Sequence, residues 1–134
     1  MDIRDLHSST IGAVGFAAAA ITTNTTTNGA IIDLQNANGV EFYIAVAARA
    51  NGTFTPTIQL SNDAAMAGAV TATDALGLRG TFTAQSVDGI AQIGLGRTTY
   101  RYARLSIVST VTSGAGAIVS ATAVLHDLRV QPVV

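Results

Sequence analysis

Three Asn-Gly pairs, Asn28-Gly29, Asn38-Gly39 and Asn51-Gly52, divide the first half of the chain. Their spacing is close to the roughly 8–12 residues that short strands with tight turns require. Asn and Gly reach φ > 0 at little steric cost, as both central positions of a type I′ hairpin turn demand. Apolar, β-branched or aromatic residues flank each pair. The pattern predicts an all-β domain, a sandwich or barrel, with a hairpin turn at each Asn-Gly.

Two segments alternate as half-buried strands do. In Glu41–Ala47, Phe42, Ile44 and Val46 share one face, with Glu41, Tyr43 and Ala45 on the other. In Phe54–Ser61, Phe54, Pro56, Ile58 and Leu60 oppose Thr55, Thr57 and Gln59. Pro56 has no N–H for a ladder, so its strand belongs at an edge or starts there. Asn51-Gly52 is expected to join these two as a hairpin. Ala13–Thr22 is rich in Ala, but Gly15 and the Ile-Thr-Thr ending favour an extended strand. Thr22–Asn28 is expected as a loop, and Ile31–Leu34, Thr81–Ala84 and Gly89–Ile93 as short strands. One helical turn is expected near Thr73–Leu76, capped by Thr71 or Thr73. Thr99–Val108 and Ala117–Leu125 form the strongest pair, about the Thr112–Gly116 loop. The prediction is one antiparallel β-sandwich of about eight strands, jelly-roll or immunoglobulin-like. It spans residues 13–127, between an arm (1–12) and a tail (128–134). Phe42, Ile44, Val46, Ile58, Leu60, Leu105, Ile107, Val119 and Leu125 are its expected core.

Charged residues are 11% of the chain, against about 25% in an ordinary soluble domain, and Lys is absent. A free monomer normally covers itself with Lys and Glu. Here Thr, Ser, Asn and Ala must supply the surface, which suits an outside partly covered by other subunits or the Thr-rich face of a secreted-type domain. A net charge of −1 gives no field to attract nucleic acid or an acidic membrane. The apolar run Ile11–Ile21 is short of the roughly 20 residues a membrane helix needs. Asp2 and Asp5 beside Arg4 do not read as the basic start of a signal peptide.

No constellation points to catalysis or to a metal. His7 stands in the N-terminal arm, and His126 is next to Asp127 in the last strand, where neighbours face opposite ways. Asp33, Glu41, Asp63, Asp74 and Asp88 are mostly beside turns, where carboxylates bond the local backbone. Without Cys there is no thiolate site or disulfide, and no cofactor is expected. Gly94-Leu95-Gly96 is too short for a phosphate cradle. The sequons at Asn24 and Asn51 carry meaning only on a secretory route.

The surface offers more. Alternation that puts Ala103, Leu105 and Ile107 inward turns Tyr100, Tyr102 and Arg104 outward, as it does Tyr43 on its own strand. Tyr and Arg are favoured at interface hot spots because they bury area while satisfying a polar tip. They are equally ordinary as cross-strand sheet pairs.

Gly94-Leu95-Gly96, Arg101-Tyr102-Ala103-Arg104-Leu105, and the ending Ala123-Val124-Leu125-His126-Asp127-Leu128-Arg129 with Pro132 resemble a family of small virion proteins of tailed bacteriophages. Ala30-Ile31-Ile32-Asp33-Leu34, Gly52-Thr53-Phe54-Thr55-Pro56 and Ser61-Asn62-Asp63 resemble the same pattern. The chain departs from it after Asp63, where relatives carry a Trp and this one has Ala64, Ala65 and Met66. The resemblance implies a non-enzymatic capsid decoration (cement) protein on the outer surface of the virion head, with the major capsid protein as partner. A homotrimer would match the pseudo-threefold points of such a shell. Tyr43, Tyr100, Tyr102 and Arg104 would then serve subunit contact, and Arg4, Arg129 and Pro132 would lie in ends that reach over neighbours. The competing class is a receptor- or glycan-binding module of a tail or other virion structure. Its usual aromatic platform is thin here, with no Trp.

Overall fold

The computed structural model describes residues 9–112 and 114–128. Among them run β1 (Ile11–Ile21), β2 (Thr25–Asp33), β3 (Ala37–Ala47), β4 (Thr53–Ser61), β5 (Val70–Thr71), β6 (Leu78–Arg79), β7 (Gly89–Leu95), β8 (Tyr102–Thr110) and β9 (Ala117–Leu128). A single 3₁₀ turn, Asp74–Leu76, precedes β6. Every ladder is antiparallel. One sheet has the order β1-β9-β3-β7-β6, the other β2-β8-β4-β5. Apart from the short β6, these are two four-stranded sheets in jelly-roll order, with the chain changing sheet at nearly every connection. The protein is a β-sandwich of nine strands among the described residues.

Alternation decides which side of each strand meets the other sheet. All nine expected core residues are buried between the sheets, joined by Phe16, Ile32, Val40, Phe54, Ile93, Leu95 and Ala123. Pro56 sits where β4 has an open side. Phe54 exchanges backbone hydrogen bonds with Gln85 on that side, and the Ile58 carbonyl accepts from Ala72 there. Pro56 has the same parity, so its missing N–H costs no ladder bond. β5 covers β4 only at Gln59 and Leu60.

Several local expectations are corrected. Thr25–Asn28 is the first half of β2 rather than loop. Asn28-Gly29 is no turn but part of a bulge, where the β2–β8 register shifts between Asn28 and Ile31. A Cβ on Gly29 would collide with the Gly15 carbonyl of the opposite sheet and lie 2.9 Å from the Leu105 carbonyl. Asn28 Oδ1 meanwhile accepts a 2.7 Å hydrogen bond from the fully buried Ser106 hydroxyl. Asn38-Gly39 lies inside β3, and the turn before it is Leu34–Ala37, closed by Ala37 N–H to the Leu34 carbonyl. Here too the glycine admits a neighbour, since a Cβ on Gly39 would enter the His126 ring.

Asn51-Gly52 does bend the chain, with Gly52 at φ 93°, but it carries the chain between sheets: β3 and β4 do not pair. β8 and β9 likewise lie in different sheets, each between two partners in its own. Long neighbouring strands look like a hairpin in sequence. A sandwich gains more by placing both in the middle, where each has two partners. Thr81–Ala84 is not a strand, and only Gln85 makes an isolated bridge, to Phe54. The turn at Asp74–Leu76 forms where expected, with Thr73 as N-cap residue but without a side-chain cap bond. In the segment that departs from the phage pattern, Met66 is buried at φ 63°, held by backbone and Asp63 side-chain bonds.

Candidate interaction surfaces

The outer face of the five-stranded sheet follows from register. Where Val119, Ala121, Ala123 and Leu125 turn inward, Ile118, Ser120, Thr122 and Val124 must turn outward. Paired rows across the sheet read Ala20–Ile118–Ala47, then Ser120–Ala45–Ile90, then Val14–Thr122–Tyr43–Gln92. None of these rows contains a charged residue, and the first charge is Glu41 in the next. Ile90 is 74% exposed and Val14 61%, far beyond what scattered surface apolars need for explanation when they share one uncharged face. Tyr43 stands among them, 41% exposed. The sequence carried this signal as apolar residues on both parities of β9. It is hidden because Ile118 and Val124 lie in a mostly apolar strand, which reads as simply buried.

Tyr102 and Arg104 lie on the opposite outer face, that of the four-stranded sheet. Arg104 Nε donates to Gln59 Oε1 at 2.8 Å, so this Arg binds across to the neighbouring strand. The Tyr102 ring carries the Arg101 guanidinium 5.1 Å from its centre. Tyr100 precedes β8 and packs half-buried against the core. The four side chains expected to form one surface therefore divide between two faces and the interior margin. Arg4, Arg129 and Pro132 lie outside the described residues, as does His7.

Thr53, Thr55, Thr57, Gln59, Thr26 and Asn28 make the four-stranded face a polar one. Its lower corner is tied by Arg101, which donates to Asp33 at 3.0 and 3.1 Å and to Gln35 at 2.8 Å. The guanidinium bonds, with help from the Gln35 N–H, hold the Asp33 carboxyl below its ordinary range. A carboxylate depressed in the folded state contributes stability above its unfolded pKa, about 3.9, and loses it as pH falls through the folded value. Thermal melts of the protein and of Asp33→Asn from pH 6 to pH 2 should therefore differ at the upper end and converge below about pH 4. Both partners are largely solvated, so the gap is expected to be small.

Among the described residues, no three His, Cys, Asp or Glu side chains come together as a metal-binding group. No protein-family model matches the chain. No curated protein matches its sequence. In three dimensions it is similar to the crystal structure of SPBc2 prophage-derived protein YomS, with a TM-score of 0.54 and 9% identity, over 87% of this chain and 91% of that one. At that identity the likeness is one of fold, a β-sandwich shared over nearly the whole length of both chains.

Proposed function

We propose that the chain is a non-enzymatic virion protein of a tailed bacteriophage: a capsid decoration (cement) protein that binds the outer surface of the head shell. Its partners in this role are the major capsid protein and further copies of itself in a homotrimer. The observation that carries the proposal is the uncharged part of the five-stranded sheet's outer face, with Val14, Tyr43, Ile90 and Ile118 exposed together. A free domain gains nothing from such a face, whereas a subunit seated on a shell buries it. The sequence resemblance and the prophage origin of the structural neighbour support the phage assignment. The fold alone would not, since jelly rolls serve many functions.

The mechanism asks only for binding. Each contact can be weak, because the shell repeats it and a trimer engages several copies at once. The expected result is that purified protein co-sediments with undecorated heads to a saturating copy number divisible by three, and delays their thermal rupture. Co-sedimentation with isolated tails but not heads would overturn the assignment in favour of a tail module. Failure to bind either would reject a decoration role outright.

A further inference from the structure

The chain starts β1 and ends β9 at the same end of the sandwich, and that end carries a groove. The largest of its three hollows is a cleft of about 610 Å³, lined by Asn38, Asp74, Leu78, Arg79, Arg97 and His126 together with Gly77 and Gly96. Arg97 also borders a second depression of about 290 Å³ with Thr98 and Thr99. Those two threonines in turn line a third, of about 200 Å³, beside Tyr100 and Arg101. The three hollows thus follow one another along residues 97–101 as a track, with Arg97, Thr98 and Thr99 as their shared walls. Three of the seven basic residues of the chain stand on it.

The cleft is built around its charges. A Cβ on Gly96 would stand 2.6 Å from Arg79 Nε, so the guanidinium lies flat on that glycine. His126 lies in the same way over Gly39. Gly77, at φ 96°, brings its backbone against the Arg97 carbonyl, where a Cβ would not fit. Neither the Arg79 nor the Arg97 side chain makes a hydrogen bond or ion pair among the described residues, whereas Arg101 is held by Asp33 and Gln35 and Arg104 by Gln59. The Arg79 and Arg97 guanidiniums are thus the unspent ones.

We infer that this groove binds an extended acidic polypeptide segment, with Arg79 and Arg97 each receiving a carboxylate. A guanidinium presents paired donors that match a carboxylate in two parallel bonds. Three hollows in succession suit an extended chain better than a compact ligand. Nucleic acid fits less well. Its phosphates recur at every nucleotide, so some must face Asp74 in the cleft and Asp33 beyond it, whereas a peptide can space its carboxylates to meet Arg79 and Arg97 and set neutral residues against those acids. The assignment stands apart from the decoration proposal, because it asks for a partner chemistry and not for a shell.

Titration calorimetry and amide chemical-shift mapping can test it on the intact chain with three probes. These are a capped octapeptide with two spaced Asp/Glu residues in a neutral polar background, the same peptide with Asn/Gln at those two positions, and a short single-stranded oligonucleotide. The acidic peptide is expected to bind weakly and to shift amides of residues 77–79, 94–101 and 126. Its affinity should fall at least tenfold in Arg79→Gln/Arg97→Gln, while Arg104→Gln, on the other face, changes it little. Equal binding of the amide peptide, or affinity unchanged in the double variant, would overturn the inference. So would tighter binding of the oligonucleotide than of the acidic peptide. Near-identical melting temperatures of the variants would show that lost binding is not lost fold.

Discussion

Gly29→Ala should destabilise the protein as severely as emptying its core, although it adds one methyl group to a strand. That methyl has backbone on two sides: the Gly15 carbonyl of β1 and the Leu105 carbonyl of β8. A flexible side chain could swing away, but a carbonyl moves only with its strand. β1 and β2 are edge strands of opposite sheets, and Gly15 and Gly29 let them close one side of the sandwich. Overpacking commonly costs about 1–3 kcal/mol, and displacement of two strands belongs at or above the top of that range. Leu105→Ala, at a fully buried central position, gives the comparison, with about 2–5 kcal/mol expected. Gly12→Ala is the control. Nothing lies within 4 Å of a Cβ there, and Ala in an exposed strand is no worse than Gly. Urea denaturation monitored by circular dichroism distinguishes the three. A midpoint for Gly29→Ala close to that of Gly12→Ala would show that the two sheets are free to part at this edge.

The same glycine shows where sequence reasoning reached its limit. Asn28-Gly29 has the composition of a type I′ turn, and nothing local distinguishes that use from a bulge with close backbone approach. The deciding partner, Gly15, is distant in sequence. Strand interiors were more legible. Phe42, Ile44 and Val46, or Phe54, Ile58 and Leu60, fix their inward face by period two whatever the partner strand is. Pairing was less so. In this jelly roll most successive strands belong to different sheets, so apparent neighbours such as β3 and β4, or β8 and β9, share no ladder. The candidate surface suffered from both limits. Tyr43 and Tyr102 were each correctly turned outward, but only the topology shows that their outsides are opposite. Ile90 and Ile118 carried no polar label to mark them as surface.

Ile90→Asp and Ile118→Asp should each nearly abolish occupancy on undecorated heads while leaving the fold intact. Both side chains already face water, 74% and 46% exposed, so an Asp there costs the isolated domain little. In the assembly the same carboxylate would be trapped against an apolar contact with no partner. Leaving a buried charge unpaired at an interface costs about 2–5 kcal/mol, which at about 1.4 kcal/mol per tenfold is roughly a 30- to 4000-fold loss of affinity. Repetition over a trimer multiplies the loss, because each arm of the avidity is weakened together. Val108→Asp is the matching change on the other outer face, at a residue 40% exposed beside Thr26 and Thr55. It should leave occupancy close to that of the unaltered protein. The reverse outcome, with Val108→Asp blocking binding and the two Ile variants neutral, would move the contact to the four-stranded sheet. Tyr102 and Arg104 would then be its anchors, and the uncharged face would need another partner.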